Sequence, residues 1–196
     1  MIKPQYAIQR LYELTKDRDT YITTEVGQHQ MWAAQLYGFQ EPNRWMTSGG
    51  LGTMGYGLPA SVGVQLAHPK SLVIDIAGEA SVLMTMQEIS TAVQYKLPII
   101  VVVCDNGMYG TIRMHQEREF PGRVSATELH NPDFDAYARA FGGFGAVVKQ
   151  TSDFPAAFQA ARQSGLPSII HLKIDSDAIL PAATLSGIRE RALAQA

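Results

Sequence analysis

Short uninterrupted apolar runs alternate along the chain with segments whose apolar residues recur at helical spacing. The runs predict strands at residues 21–24, 45–47, 72–76, 99–104, 146–149 and 169–174. The helical spacing predicts helices at residues 4–15, from about residue 28, at 84–95, 134–141 and 154–163, and one that follows the glycine-dense segment 49–57 and runs through residue 66. Such alternation predicts an α/β fold with a mainly parallel sheet of about six strands and helices on both faces.

One long segment shows no such pattern. Residues 114–131 carry many charges, include Pro121 and Gly122, and lack clear periodicity. This makes them the best candidate for a mobile or substrate-facing loop. A plain surface connection would give the same pattern, and both interpretations stay open.

Composition narrows the class of protein. The chain has 196 residues, of which 46% are hydrophobic and 17% charged, enough for one sizeable core, so a single domain over residues 1–196 is predicted. A formal net charge of −2 without a lysine or arginine cluster argues against nucleic acid or an anionic membrane as the main partner. Cys104 is the only cysteine, and neither a signal peptide nor a membrane-length apolar run is present, so we expect a cytoplasmic protein.

Polar residues follow two consecutive predicted strands. Gly78-Glu79-Ala80-Ser81 comes after the first, and Asp105-Asn106-Gly107 comes after the second. The carboxyl ends of parallel strands meet at one rim, where open α/β sheets bind ligands, and a helix start there favours phosphate oxygens. A carboxylate and a carboxamide oxygen at this rim can hold a hard cation such as Mg²⁺ against a diphosphate. On spacing alone, a helix cap or a turn is the commoner explanation.

These residues resemble the cofactor signature of thiamine diphosphate-dependent enzymes, which is Gly-Asp-Gly followed, after a spacer of this length, by Asn-Asn or a close variant. Residues 26–35, 48–59 and 87–95 are similar to the C-terminal, cofactor-binding domain of the acetolactate synthase branch. The resemblance covers nearly the whole chain and is least specific in the last dozen residues. It implies a thiamine diphosphate-binding, Rossmann-like fold.

The resemblance also implies a set of cofactor contacts. Magnesium would be held by Glu79, the side-chain oxygen of Asn106 and the backbone carbonyl of Met108, with the diphosphate and a water completing its shell. Gln28 and His29 would contact the diphosphate, and Met54 would support the bent cofactor. The complete predicted set is Gln28, His29, Gly52, Met54, Gly78, Glu79, Ala80, Ser81, Asn106, Met108 and Tyr109.

Ordinary structural roles explain the same residues if they are taken one at a time. Gln28 and His29 would suit an exposed helix start, Met54 a plain core position, and the glycines around it a flexible turn. The order in which the motifs occur favours the cofactor role.

Four positions depart from the family pattern. Glu79 stands where the family has Asp, and Ala80 replaces the third glycine of the signature. Asp105 stands where Asn is more usual, which adds a negative charge close to an anionic cofactor. His115 lies where acetolactate synthases typically carry Trp. The departures leave the metal affinity and the substrate open.

The implied activity is decarboxylation of a small 2-keto acid and transfer of the product to an acceptor carbonyl, with thiamine diphosphate and Mg²⁺ as cofactors. No catalytic residue is assigned in this chain, because the family's activating glutamate belongs to a separate pyrimidine-binding domain. That domain and a middle domain are not found in this sequence. The chain alone is therefore expected to be inactive, as an excised domain or as one subunit of a split enzyme, within a homodimer or tetramer.

Other functions remain open. Related carboligases or decarboxylases act on glyoxylate, sulfoacetaldehyde, oxalyl thioesters or aryl keto acids. A noncatalytic nucleotide-binding module is disfavoured because no Gly-x-Gly-x-x-Gly follows a convincing strand. A degenerate homologue that has lost its cofactor would be consistent with Glu79 and Asp105. Titration with cofactor, magnesium and NAD separates these alternatives.

Overall fold

Six parallel strands form one sheet in the computed structural model, which describes residues 1–195. The strands are β1 (Thr20–Thr24), β2 (Trp45–Thr47), β3 (Leu72–Gly78), β4 (Ile100–Asp105), β5 (Phe144–Val148) and β6 (Ser168–Lys173). Their order across the sheet is β2-β1-β3-β4-β6-β5, and every pairing is parallel. The predicted α/β class and the six-stranded parallel sheet are confirmed.

Helices cover both faces of this sheet. They are α1 (Pro4–Thr15), α2 (Gln28–Leu36), α3 (Gly57–Ala67), α4 (Glu79–Val82), α5 (Ile89–Gln94), α6 (Gly110–Glu119), α7 (Phe134–Ala140), α8 (Phe154–Ser164) and α9 (Leu185–Leu193). Helices α1, α2 and α8 contribute to one apolar core, and α3, α5 and α7 to the other. Strand β4 is buried along its whole length and supplies both cores, with Val102 on one side and Val103 on the other.

The single helix predicted over residues 84–95 is wrong. The segment begins in a turn, passes through a 3₁₀ turn at Met86–Glu88 and continues as the short helix α5. Thr85 interrupts the helical conformation with φ −134° and ψ 18°, and its hydroxyl donates to the carbonyl of Gly55 at 3.0 Å. The helix is therefore broken where its backbone turns to support the glycine-dense loop.

The loop predicted over residues 114–131 is wrong in its first third, because α6 extends to Glu119. This helix lacked an apolar pattern because its buried contact is ionic. The carboxylate of Glu117 is fully buried and accepts from Arg113 Nε at 3.0 Å, from Arg189 Nε at 2.7 Å and from the Gly122 N–H at 2.9 Å. A substrate-facing role for the remaining loop stays a prediction.

The C-terminal segment adds an antiparallel hairpin and a helix that were not predicted. The hairpin strands are β7 (Ala178–Leu180) and β8 (Ala183–Thr184), and α9 follows. Ile179 and Ile188 form a small separate cluster against Met108 and Met114. The chain's end therefore packs behind the loop that follows β4.

Two further findings concern the chain as a whole. Within residues 1–195, no helix has the length and apolar character needed to cross a membrane. Cys104 is a free thiol, and it is buried at the end of β4.

Glu117→Gln should lower the free energy of unfolding by about 2 kcal/mol at pH 7, because two arginines lose their buried partner and one of them is partly exposed. The hydrogen bond from Arg189 lowers the pKa of Glu117 to about 2. Its ionised form therefore stabilises the fold above a pH of about 4.5, and this contribution is lost as the pH falls towards 2.

Urea unfolding at pH 7 and at pH 2.5 measures this effect. The difference between wild type and variant should shrink at the lower pH. Glu119→Gln is the matched control, since its partner Arg118 is exposed and the pair contributes about 0.5 kcal/mol or less. Equal differences at both pH values would contradict an ionised Glu117.

Candidate cofactor site

A cavity of about 250 Å³ opens where β1, β3 and β4 end. The predicted site residues that line it are Gln28, His29, Gly52, Met54, Gly78, Glu79, Ala80, Ser81, Met108 and Tyr109. The remaining lining residues, which were not predicted, are Val26, Gly27, Gly110, Thr111 and Ile112. Asn106 lies next to the cavity wall, hydrogen-bonded to Gln28, while His115 is exposed on α6 and does not line the cavity.

The three predicted metal ligands contact one another. Oε1 of Glu79 accepts the N–H groups of Asn106 at 3.2 Å and of Met108 at 3.1 Å. Oδ1 of Asn106 accepts the Met108 N–H at 3.2 Å. Burial, with a further contribution from the charge of Asp105, raises the pKa of Glu79 to about 7. A cation beside this buried carboxylate would favour its ionised form.

The charge of the cavity wall indicates how an anion would be bound. The residues that line the cavity include no lysine or arginine. His29 is almost fully buried, and burial lowers its pKa to about 3, so it is neutral at pH 7. The lining therefore offers a diphosphate no cationic side chain.

The oxygen atoms available at the cavity suit Mg²⁺. A carboxylate, a carboxamide oxygen and a backbone carbonyl are hard ligands, and magnesium commonly takes few protein ligands and completes its shell with phosphate and water. In residues 1–195, no group of three or more His, Cys, Asp or Glu side chains could hold a metal ion by itself. The residues therefore fit a cation that is shared with a bound phosphate.

Three helices begin around the cavity. Their N-cap residues are Gly27 before α2, Gly78 before α4 and Tyr109 before α6, and none of the three makes a side-chain cap. The first N–H groups of such helices are free to bind an anion. The α6 terminus was missed from the sequence, because the helix itself was not recognised.

Both polar atoms of the Gln28 carboxamide are hydrogen-bonded within the protein. Its Nε2 donates to the carbonyl of Ile179 in the C-terminal hairpin, and its Oε1 accepts from Asn106 Nδ2 at 3.0 Å. Gly110 permits this arrangement, since a Cβ there would lie 1.8 Å from Oε1. Gln28 thus orients Asn106, and its predicted contact with a diphosphate stays a prediction.

His29 offers a different kind of support for a ligand. Its Nε2 is buried and has no hydrogen-bond partner among the described residues. The ring packs against Gly78, where an added Cβ would lie 2.6 Å from Nδ1. Ser81 differs, because its hydroxyl already donates to the Val26 carbonyl at 2.8 Å. An unpartnered polar atom at the cavity wall fits a site that is completed by a polar ligand.

The side chain of Asp105 is held by hydrogen bonds to β6 and to the loops after β4 and α6. Its Oδ2 accepts from His171 Nε2 at 2.7 Å and from Lys173 Nζ at 2.6 Å, and its Oδ1 accepts from Asn131 Nδ2 at 2.8 Å and from the Gly107 N–H at 3.0 Å. Burial raises the pKa of Asp105, but the hydrogen bonds from His171 and Lys173 outweigh it and leave the pKa below its ordinary value. The negative charge that the sequence analysis placed close to the cofactor is thus paired within the protein, and its effect on metal affinity stays open.

Glu25 was missed by the sequence analysis. Its buried carboxylate accepts the N–H of Gly55 at 2.6 Å and the N–H of Leu58 at 3.1 Å. These bonds hold the loop that brings Gly52 and Met54 to the cavity. The only signal in the sequence that could have indicated this role was the position of an acidic residue between a predicted strand and Gly27. Its hydrogen-bond partners lie about thirty residues later in the chain, so local sequence does not reveal them.

An open parallel sheet whose strand ends carry a carboxylate, a carboxamide and uncapped helix starts defines an α/β domain that binds an anionic cofactor through a metal ion. Comparison with known proteins identifies the family. Residues 25–172 match the family described as "Thiamine pyrophosphate enzyme, C-terminal TPP binding domain". The chain belongs to this family, whose cofactors are thiamine diphosphate and Mg²⁺.

Similar proteins carry acetolactate synthase names. The chain is 44% identical over 161 residues to the acetolactate synthase isozyme 3 large subunit of Escherichia coli, which is 82% of this chain and 28% of that protein. It is 43% identical over 176 residues to the mitochondrial acetolactate synthase catalytic subunit of Saccharomyces cerevisiae, which is 89% of this chain and 26% of that protein. The chain thus spans less than a third of these relatives.

Proposed function

We propose that this chain is the cofactor-binding domain of a thiamine diphosphate- and Mg²⁺-dependent 2-keto acid decarboxylase or carboligase, most closely of the acetolactate synthase type. The observation that carries the proposal is the cavity at the strand ends, where Glu79 and Asn106 adjoin uncapped helix starts and no lysine or arginine lines the wall. Its acetolactate synthase-like relatives support the reaction type.

Each group in the cavity has a role in this proposal. Glu79, the Oδ1 of Asn106 and the carbonyl of Met108 would hold Mg²⁺, and N–H groups at the starts of α2 and α6 would bind the diphosphate. Met54 lines the cavity and would contact the cofactor rings. The bound cofactor supplies the stabilised carbanion chemistry, while these residues bind it, orient it and keep water from it.

The proposed enzyme needs a second domain. The only carboxylate that lines the cavity in the described part of the chain belongs to Glu79, which is assigned to the metal. We propose that a pyrimidine-binding domain, from the same polypeptide or a partner chain, supplies the activating glutamate within a homodimer or tetramer. Exposed apolar side chains near the cavity would suit that contact: Leu51 is 91% exposed, Met84 51% and Ile112 53%.

One observation favours a second candidate, a homologue that does not bind the cofactor. Glu79 is one methylene longer than the family's Asp, and its Oε1 is engaged by two loop N–H groups. Related carboligases that use glyoxylate, sulfoacetaldehyde, oxalyl thioesters or aryl keto acids also remain candidates, because His115 stands where acetolactate synthases typically carry Trp. A cytoplasmic location likewise stays a prediction.

Thermal unfolding tests the proposal. At a concentration of about 100 times its dissociation constant, thiamine diphosphate with Mg²⁺ should stabilise the protein by about 2.7 kcal/mol. The resulting shift in unfolding temperature should require both the cofactor and Mg²⁺. Glu79→Ala should abolish the shift. Glu79→Gln is the matched variant, since it keeps the size of the side chain and removes only its charge, and it should also lose the metal-dependent part.

Two outcomes would count against the proposal. A full shift without Mg²⁺, or one that survives in both Glu79 variants, would contradict the metal site. No shift at millimolar cofactor calls for a repeat with the pyrimidine-binding domain added. Failure to bind in that complex would support the noncatalytic homologue.

A further inference from the structure

Two buried acids lie beside the cofactor cavity and have no assigned role. Glu25 directly follows β1, and Asp75 lies on the neighbouring strand β3, in register with Thr23. Both side chains are fully buried. Gly57 lies against both residues, since a Cβ added there would lie 2.2 Å from the side-chain Oδ1 of Asp75 and 2.7 Å from the backbone nitrogen of Glu25.

The contacts of Glu25 are those of an ionised carboxylate. Both of its oxygens accept backbone N–H groups, one from Gly55 and one from Leu58. Leu58 lies in the first turn of α3, an eleven-residue helix whose N-cap residue, Tyr56, makes no side-chain cap, and Gly55 lies directly before that N-cap. A carboxylate is stabilised at a helix N-terminus by the free N–H groups and by the helix dipole. Glu25 therefore caps α3 from the position directly after β1.

Asp75 accepts fewer hydrogen bonds than Glu25 does. Its Oδ1 accepts from Thr23 Oγ1 at 3.0 Å, and its Oδ2 has no hydrogen-bond partner among the described residues. Burial, and then the charge of Glu25, raise the pKa of Asp75 well above its ordinary value. Burial also raises the pKa of Glu25, but four backbone N–H groups of the α3 start act against that rise. The proton of the pair therefore resides on Asp75.

The loop held by this pair reaches the cavity. Gly55 is fixed on both sides, because its N–H donates to Glu25 and its carbonyl accepts from Thr85 Oγ1 at 3.0 Å. Gly55 has φ +86°, a conformation that favours glycine. The preceding residue is Met54, which lines the cavity together with Gly52. The position of Met54 thus depends on the two hydrogen bonds that hold Gly55.

We propose that Glu25 is a positioning residue that holds Met54 at the cofactor cavity, and that Asp75 is its neutral partner, so that the pair carries one negative charge. Glu25 acts through the backbone of Gly55 and Leu58 and touches no cofactor itself. The consequence for cofactor binding rests on the proposed function. The positioning of the loop does not.

Amide hydrogen exchange tests the positioning with two isosteric variants. Glu25→Gln replaces one acceptor oxygen by an NH₂ group, so exchange at the Gly55 and Leu58 amides should accelerate about tenfold to a hundredfold. Exchange at Val102, in the buried strand β4, should stay unchanged. Asp75→Asn is the matched control, because a neutral side chain replaces a neutral one, and it should leave all three amides nearly unaffected.

Several results would overturn the proposal. The first is unchanged exchange at Gly55 in Glu25→Gln. The second is an acceleration at Val102 as large as that at Gly55 in the same variant, which would indicate loss of global stability alone. The third is an effect of Asp75→Asn at Gly55 that equals or exceeds that of Glu25→Gln. If Glu25→Gln does not fold, Glu25→Asp replaces it. That variant keeps the charge on a shorter side chain and should accelerate exchange at Gly55 more than Asp75→Asn does, and the reverse order would overturn the proposal.

A second measurement separates this proposal from the proposed function. Binding of thiamine diphosphate with Mg²⁺ should weaken about tenfold or more in Glu25→Gln and change less than about twofold in Asp75→Asn. If the wild type does not bind in complex with its pyrimidine-binding domain, the proposed function fails, and exchange still decides the loop positioning. If the wild type binds and Glu25→Gln accelerates exchange without losing affinity, the link to the cofactor is overturned.

Discussion

Replacing Asp105 with alanine is expected to lower the free energy of unfolding by about 3–5 kcal/mol. Asp105 accepts four hydrogen bonds, and two of its partners, His171 and Lys173, lie on the neighbouring strand β6. His171 is fully buried, so it would lose its partner without gaining water. Removing one member of a buried network leaves the others unsatisfied, which costs more than the network contributes as a whole.

Chemical denaturation at pH 7 measures this loss. Asp105→Asn is the matched variant, because it keeps the shape and one acceptor oxygen, and it should lose about half as much stability. The Lys173 side chain is partly exposed, so added salt should reduce only a small part of the effect. A loss below about 1 kcal/mol for the alanine variant would contradict the network.

Gly57→Ala is expected to cost about 3 kcal/mol or more, and to remove the cofactor-dependent stabilisation. Its Cβ would lie 2.2 Å from Asp75 Oδ1, 2.7 Å from the Glu25 nitrogen and 2.8 Å from the carbonyl carbon of Thr24. Two of these atoms belong to the backbone where β1 ends, so the strain cannot be relieved by turning a side chain. The start of α3 would have to move, and the glycine-dense loop with it.

Gly63→Ala provides the control within the same helix. Gly63 is exposed on α3, and an added Cβ would meet nothing within 4 Å. Alanine there should raise stability by about 0.5–1 kcal/mol, because it is the better helix former. Denaturation should show a change in the free energy of unfolding that is negative for Gly57→Ala and positive for Gly63→Ala. A stable Gly57→Ala protein that still binds cofactor would contradict the contact at Gly57.

The strands could be predicted because parallel strands are buried on both faces. Residues 100–105 of β4 are all buried, and the sequence carries this as an uninterrupted apolar run up to Asp105. The same reasoning fails for α6. Its inward contact is the buried Glu117 with two arginines, so the helix presents no apolar stripe to detect.

Residues that follow strands could be placed at the cavity from sequence, but their orientation could not. Glu79 and Asn106 were predicted at the same rim because they follow consecutive parallel strands, and the Asn106 N–H donates to Glu79 Oε1. Asp105 was expected to add a negative charge close to the cofactor, and its hydrogen-bond partners were not foreseen. Its partners on β6 lie more than sixty residues later in the chain, and their approach depends on the pairing of β4 with β6. Glu25 was missed for the same reason.

The bond between Gln28 and the hairpin carbonyl of Ile179 sets a lower limit on useful truncations. A fragment ending at residue 172 would keep every position matched to the family and most of β6, but it would lose that carbonyl. Gln28 would then be free to rotate, and Asn106 would lose the acceptor that orients it. The shortest piece that builds the sheet is therefore not the shortest piece that presents its metal ligands, and expression boundaries should lie beyond the hairpin.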